Sequence, residues 1–331
     1  MLDNNGLFDR GMLIRSPHDP VRRSALPARG RGLAVSASAL VLALSLAGCQ
    51  SPLPPSRTAP SATASSSASA VSGIPLHTVR LQGADNFRDL AGTETAYAAS
   101  GGKSLRPGVG YRSNALGRLT DADLAHLREL GVSTVIDLRT RGEIAAQPDR
   151  VPAGARYTNV DIMGQGNTAV NPTQAFRVDT PAAAAGMLKK ANVGFVTDPA
   201  QRKAFATVLT DIANAPGPVV FHCTAGKDRA GWTAALLQLT AGVSPGDVMK
   251  NYLATNDYSA PSIAATTRTI RAAKGEEAAS AYQALLGVRA DYLQAGLDKL
   301  HADYGGIDAF LTRGLGLPTA TIQKLRARIT A

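Results

Sequence analysis

Residues 218–232 read PVVFHCTAGKDRAGW. After Pro216-Gly217-Pro218, the apolar run Val219-Val220-Phe221-His222 has the composition of a short strand buried on both faces. Cys223 to Arg229 follows as a glycine-containing loop. From Ala230 to Leu239, the residues Trp232, Ala235, Leu236 and Leu239 recur at helical spacing, and Gly242 supplies a stop. A strand, a tight loop and a helix in succession is the arrangement in which a helix N-terminus receives an anion.

The sequence on either side repeats the same alternation. Val132 to Leu138 reads as a second strand. It is preceded by a helix from Asp121 to Leu130, with Thr120 as N-cap and Asp123 completing a capping box. Val109 to Arg112 and Tyr157 to Val160 are weaker strand patterns. Pro199 to Ala213 reads as a helix with proline in its first turn, and Ser244 caps another that runs to about Asn256. From Ser259 onward the pattern is helical, broken at Gly275, Gly287, Gly305 and Gly314. Strands alternating with helices, then a helical tail, predict one α/β domain on a central, mostly parallel sheet. There are no internal repeats.

The loop carries the chemistry. A thiol attacks phosphorus as its thiolate, and backbone N–H groups converging at a helix start favour that form. The same groups bind phosphate oxygens, so Thr224, Ala225, Gly226, Lys227 and Asp228 are the expected cradle. Gly226 gives the backbone freedom to turn. Arg229, six positions after Cys223, offers a planar fork for two phosphate oxygens and for transition-state charge. His222 is expected to hold the loop by hydrogen bonding. Cys-x5-Arg alone is a cheap pattern; its meaning comes from the strand before it, the glycine inside it and the helix after it.

The front of the chain has another character. Six arginines lie between residues 10 and 32, followed by an uncharged run from Leu33 to Gly48 and then Cys49. A basic flank, a short apolar segment and Ala47-Gly48 before a cysteine have the parts of a secretory signal of the lipoprotein type, with Cys49 as the lipidated residue. The run is shorter than the ~20 residues of a spanning helix. Residues 50–73 are almost wholly Ser, Ala, Thr and Pro and read as a flexible tether. The expected organisation is therefore signal peptide 1–48, tether 49–73 and catalytic domain 74–331. The product would be exported and lipid-anchored on the extracytoplasmic side of a bacterial membrane. Residues 1–48 hold six arginines against three aspartates, which leaves +7 of the formal +10 on the rest. That excess suits anionic substrates or lipid surfaces. Dense Lys/Arg runs are absent and aromatics are few, which argues against nucleic-acid binding. The chain has two cysteines; with Cys49 assigned to lipidation, Cys223 has no disulfide partner.

HCTAGKDRAG resembles the signature of bacterial tyrosine phosphatases related to a mycobacterial secreted tyrosine phosphatase. Asn86-Phe87-Arg88-Asp89-Leu90, Tyr111-Arg112-Ser113, and Val135-Ile136-Asp137-Leu138-Arg139 followed by Glu143 resemble the same family. So do residues 252–257 (YLATND) and 287–293 (GVRADYL). The likeness spans about residues 80–330. It implies a phosphotyrosine-phosphatase-like α/β fold and a phosphocysteine intermediate without metal or other cofactor. Substrates would be phosphotyrosine, phosphoserine or phosphothreonine proteins, or phosphoinositides. A leaving oxygen needs a proton from a positioned acid. The resemblance and its place at a strand end point to Asp137, against the alternative that Asp137 is ion-paired with Arg139 or Arg141; Asp228 is the second candidate. Lys227 is read either as a contact for a second phosphate or as a general anion attractor. Asn86, Arg88 and Asp89 are expected to brace the loop. Ser259 to Leu286 resembles the family's active-site lid, and reads equally as an outer helix. Ala230 departs from the pattern, which has Ser or Thr there; its hydroxyl would help the thiolate leave, a task for which Thr233 is a substitute. A phosphoinositide phosphatase and a weakly active phosphate-binding protein are the alternative functions.

Overall fold

The computed structural model describes residues 75–76, 79–164 and 179–331. The expected signal peptide, tether and Cys49 lie outside the described residues.

In chain order the elements are β1 (Arg88–Asp89), β2 (Gly110–Ser113), α1 (Asp121–Glu129), β3 (Thr134–Asp137), α2 (Arg141–Ala146), β4 (Arg156–Asn159), α3 (Pro181–Thr197), α4 (Pro199–Asn214) and β5 (Val219–His222). There follow α5 (Arg229–Thr240), α6 (Pro245–Leu253), α7 (Thr255–Tyr258), α8 (Ala260–Leu286), α9 (Ala290–Tyr304), a short turn of helix around Phe310, and α10 (Thr319–Ile329). The strands form one sheet in the order β1-β2-β5-β3-β4. Only the β1–β2 pair is antiparallel. The strand that carries the loop, β5, is thus the central one.

Alternation along β5 explains why both faces are covered. Val219 and Phe221 join Ile136, Phe205, Val208, Leu209, Trp232 and Leu236 in one apolar cluster. Val220, between them, joins Tyr111, Val135, Phe87 and Leu127 in another on the opposite face. The helix after the loop, α5, is buried along its whole length apart from Leu239. A helix apolar on all sides belongs inside a domain. Gly296 of α9 lets that helix close on it, since a Cβ there would lie 2.7 Å from the Trp232 ring.

The predicted boundaries hold to within a few residues, and the Thr120–Asp123 capping box is present with both of its hydrogen bonds. Three elements were not predicted: the six-residue α2, the 17-residue α3, whose Gly186 and Gly194 mask its pattern, and the two-residue β1. The register sets up the site: Ser113 and Asp137 both lie abreast of His222. The segments leaving β2, β5 and β3 therefore meet at one carboxyl edge, where open α/β sheets bind ligands. Among the described residues no helix is long and apolar enough to cross a membrane.

Candidate active site

The loop from Cys223 to Arg229 is held by its carbonyls. The Thr224 carbonyl accepts from the Ala115 N–H at 3.2 Å, and that of Ala225 accepts from Asn86 Nδ2 at 2.9 Å. Arg112 Nη2 donates to the Gly226 carbonyl at 2.8 Å and to that of Lys227 at 3.4 Å. In a planar trans peptide the C=O of one residue and the N–H of the next point in opposite directions. Four carbonyls fixed outward therefore turn the N–H groups of Ala225, Gly226, Lys227 and Asp228 inward, forming a concavity suited to an anion. Gly226 is required twice over. Its φ is +69°, and a Cβ there would stand 2.5 Å from the Ser113 carbonyl oxygen. Cys223 is buried at the mouth of β5 with a free thiol.

Arg229 does not float above this cradle. Its Nη1 and Nη2 donate to the two oxygens of Glu143 at 2.8 and 2.7 Å, a bidentate pair. Thr224 Oγ1 also donates to Glu143. Glu143 is in turn fixed by the capping box of α2, accepting from the Thr140 N–H at 3.0 Å. Burial alone would push the Glu143 carboxyl up, but the Arg229 guanidinium outweighs it and holds the group down at about 2. Burial opposes the charge on Arg229, but the field of Cys223 and the bonds to Glu143 push its proton affinity further up. Sequence reasoning noted Glu143 as part of a motif without a role. The Thr140-x-x-Glu143 capping pattern was the available signal that this glutamate is fixed in place.

Asp137 lies in a different environment. Its carboxylate is fully buried and accepts from Arg139 Nε and Nη2 at 2.9 and 2.8 Å, and from Tyr157 OH at 2.7 Å. Burial would raise its pKa, yet the bonds and charge of Arg139, with His222 nearby, hold it down at about 2. A carboxylate so held carries no proton at neutral pH and is enclosed by its partners. That geometry fits the alternative reading of Asp137, an ion pair with Arg139, better than the expected general acid. Arg139 Nη2 also lies 2.7 Å from Asp149, which has His222 Nε2 at 3.1 Å and accepts from the Leu116 N–H at 2.9 Å. Nε2 of the His222 imidazole thus faces Asp149, and neither ring nitrogen is hydrogen-bonded to the loop. Asp137, Asp149 and His222 offer donor atoms within 4.8 Å of one another; the Arg139 guanidinium lies against both carboxylates and supplies their counter-charge.

Of the three expected braces, Asn86 and Arg88 reach the loop region. Arg88 donates to Asn86 Oδ1 at 2.5 Å, to the Asn251 carbonyl at 2.9 Å and to Thr255 Oγ1 at 3.0 Å. Asp89 does not. Strand alternation turns it away, and it accepts from the Ala91 and Gly108 N–H groups. Sequence reasoning missed Asn251 and Asp149, which carry no local motif.

Asp228 is the loop's own acid. It occupies the N-cap of α5, yet its side chain makes no capping bond. It is partly exposed, with Lys227 Nζ 2.9 Å from its carboxylate. Ala230 follows Arg229 and is fully buried. Thr233, the expected substitute for the missing hydroxyl, here donates its Oγ1–H to the Arg229 carbonyl at 2.9 Å. The stretch compared with a lid is α8, whose two arms meet at Gly275 with φ +88°.

This arrangement can hold a tetrahedral anion against a thiol with a fixed guanidinium above it. Comparison with known proteins agrees. The model of the tyrosine phosphatase family matches residues 79–331. The triple specificity protein phosphatase PtpB of Mycobacterium tuberculosis is 32% identical over 276 residues, covering 74% of this chain and 96% of that protein. A tyrosine-protein phosphatase of Nostoc commune is 33% identical over 225 residues, covering 66% of this chain and 73% of that protein.

Proposed function

The chain belongs to the tyrosine phosphatase family, and from that premise we propose that it is a cysteine-dependent phosphatase hydrolysing phosphotyrosine, with phosphoserine and phosphothreonine as further substrates. The observation that carries this reading is that the carbonyls of residues 224–227 are all taken up by surrounding donors, which leaves the opposed N–H groups of residues 225–228 to the inner side of the loop after Cys223. Substrate phosphate docks there with Arg229 on its equatorial oxygens. Cys223 Sγ attacks phosphorus while the ester oxygen departs with a proton from Asp228. Water then attacks the phosphocysteine, giving its proton to the Asp228 carboxylate, and the sulfur leaves as thiolate. Glu143 keeps Arg229 in the plane that both steps use.

The test is the full chain beside its Cys223→Ser variant on p-nitrophenyl phosphate, a phosphotyrosine peptide, a phosphoserine peptide and phosphoinositide vesicles. Wild type should turn over the phosphotyrosine peptide, and the variant should lose about 10⁴-fold or more. No turnover on any substrate would leave a phosphate-binding protein, and exclusive action on the vesicles a lipid phosphatase. Undiminished activity in Cys223→Ser would remove the nucleophile.

The same proposal includes export, removal of residues 1–48, a lipid on Cys49 and residues 49–73 as the tether between membrane and enzyme. Its support is the basic flank, apolar run and Ala47-Gly48-Cys49 of the sequence. Metabolic labelling with a fatty acid should mark the wild-type chain and not Cys49→Ala; equal labelling of both would end this part of the reading.

A further inference from the structure

Four arginines are buried around the loop, and they fall into two kinds. Arg139 and Arg229 each meet carboxylates. Arg88 and Arg112 meet none among the described residues. Every hydrogen bond they make goes to a neutral acceptor. For Arg112 these are Asn251 Oδ1 at 3.0 Å and the carbonyls of Gly226 and Lys227. For Arg88 they are the carbonyl and side chain of Asn86, the Asn251 carbonyl and Thr255 Oγ1. The Tyr258 ring lies 5.0 Å from the Arg88 guanidinium, and the Nε of both arginines has no partner. Asn251 bridges the two, taking Arg112 on its side chain and Arg88 on its backbone. Asp89, the neighbour of Arg88, is bonded to backbone on the other side of the strand. Asp228 is engaged with Lys227.

Burying a charge without a counter-charge is costly, and buried cations are ordinarily paired. A pair of unpaired guanidinium groups behind an anion-binding loop has a natural partner in the ligand. We propose that Arg88 and Arg112 are positioning residues whose buried positive charge is balanced by the phosphate dianion, so that they bind it through the field while Arg112 also fixes the loop carbonyls outward. Two further features agree. Burial pulls the Arg112 guanidinium down to about 10, opposed only in part by the fields of Tyr252, Cys223 and the more distant Asp228, none of which is hydrogen-bonded to it. Burial, reinforced by Arg112, pulls Arg88 down as well. Each cation is thus held at a cost that a bound anion relieves. Because the charges are buried, their effect is screened little by salt.

The inference rests on the loop being a phosphate site. Its test therefore reads binding and not turnover. Inorganic phosphate is titrated calorimetrically into the full chain and into Arg112→Gln, Arg88→Gln, Arg112→Lys and Arg88→Lys, at 0.1 and 0.5 M sodium chloride. Circular dichroism confirms folding. Arg112→Gln should weaken binding about tenfold and Arg88→Gln about threefold, with the ratios to wild type little changed by salt. The lysine variants should recover most of the loss. Wild-type affinity in both glutamine variants would overturn the proposal. So would lysine variants as weak as their glutamine counterparts, which would leave only the hydrogen-bond geometry. Should Arg112→Gln fail to fold, the Arg88 pair of variants decides alone. Absence of phosphate binding by the wild-type chain would instead count against the phosphatase reading itself.

Discussion

Two aspartates stand near the same strand ends and have opposite surroundings. Asp137, at the end of β3, is sealed among Arg139, Tyr157 and the Asp149–His222 pair. Asp228, at the end of the loop, is partly exposed, holds only Lys227 and leaves its helix cap unused. The first is fully buried and fixed by an ion network. The second has the access and the freedom that an acid requires. A pattern that places a carboxylate at a strand end does not distinguish the two; the number and charge of its partners does.

The sharpest break of this comparison is kinetic. Asp228→Asn should lower kcat on phenyl phosphate, a poor leaving group, by about 10²- to 10⁴-fold, and on p-nitrophenyl phosphate by much less. Asp137→Asn should show no such leaving-group dependence. If Asp137→Asn is the variant that discriminates between the two esters, the assignment of roles is reversed.

The second break is thermodynamic. Removing one partner of a buried pair leaves the other uncompensated, so Asp137→Asn should cost about 3–5 kcal/mol of stability, measured by urea unfolding. Asp228→Asn should cost less than about 1 kcal/mol, as suits a partly exposed pair. Equal losses would mean that Asp228 is structural too.

Much of this site was legible before its geometry was seen. The strand, loop and helix around Cys223 announce themselves because each is encoded locally: a four-residue apolar run, a glycine that must turn, an arginine at a fixed offset. The partners that decide what Asp137 does were not legible. Arg139 is two residues away and was one of two arginines in view. Asp149, His222 and Tyr157 come from three separate segments that the sheet order brings together. Arg112 was noted only as part of a motif, because its bonds to Gly226 and Lys227 cross more than a hundred residues. Sequence spacing reports what a segment does with itself; long-range charge pairing depends on the fold.

The pH dependence of stability sharpens the same contrast. Asp137 and Glu143 both have native pKa values held down at about 2, against about 4 in an unfolded chain. A carboxylate with a lowered native pKa stabilises the fold fully above its unfolded value, and that contribution is lost as pH falls toward the native one. Each accounts for about 3 kcal/mol. Stability should therefore fall steeply between about pH 4 and pH 2, and Asp137→Asn should make that fall shallower. An unchanged slope in the variant would show that Asp137 is not held in its charged form.

The smallest expected effect lies one residue beyond Arg229. In the second step of the proposed mechanism the thiolate of Cys223 is the leaving group, a departure that a hydroxyl at position 230 would assist. Ala230 has none, and the hydroxyl of Thr233 is committed to the Arg229 carbonyl. The loop N–H groups and Arg229 must stabilise the departing sulfur without that donor. A neutral hydrogen bond contributes about 0.5–1.5 kcal/mol, so Ala230→Ser should raise steady-state turnover about two- to tenfold if breakdown of the phosphocysteine limits it. Stopped-flow mixing of wild type with p-nitrophenyl phosphate should then show a burst near one product equivalent, shrinking in Ala230→Ser. Serine is the better probe than threonine because the site is fully buried and an extra methyl would crowd it. A wild type without a burst, together with unchanged turnover in the variant, would show that the first step limits and that the fixed cradle alone is enough to release the thiolate.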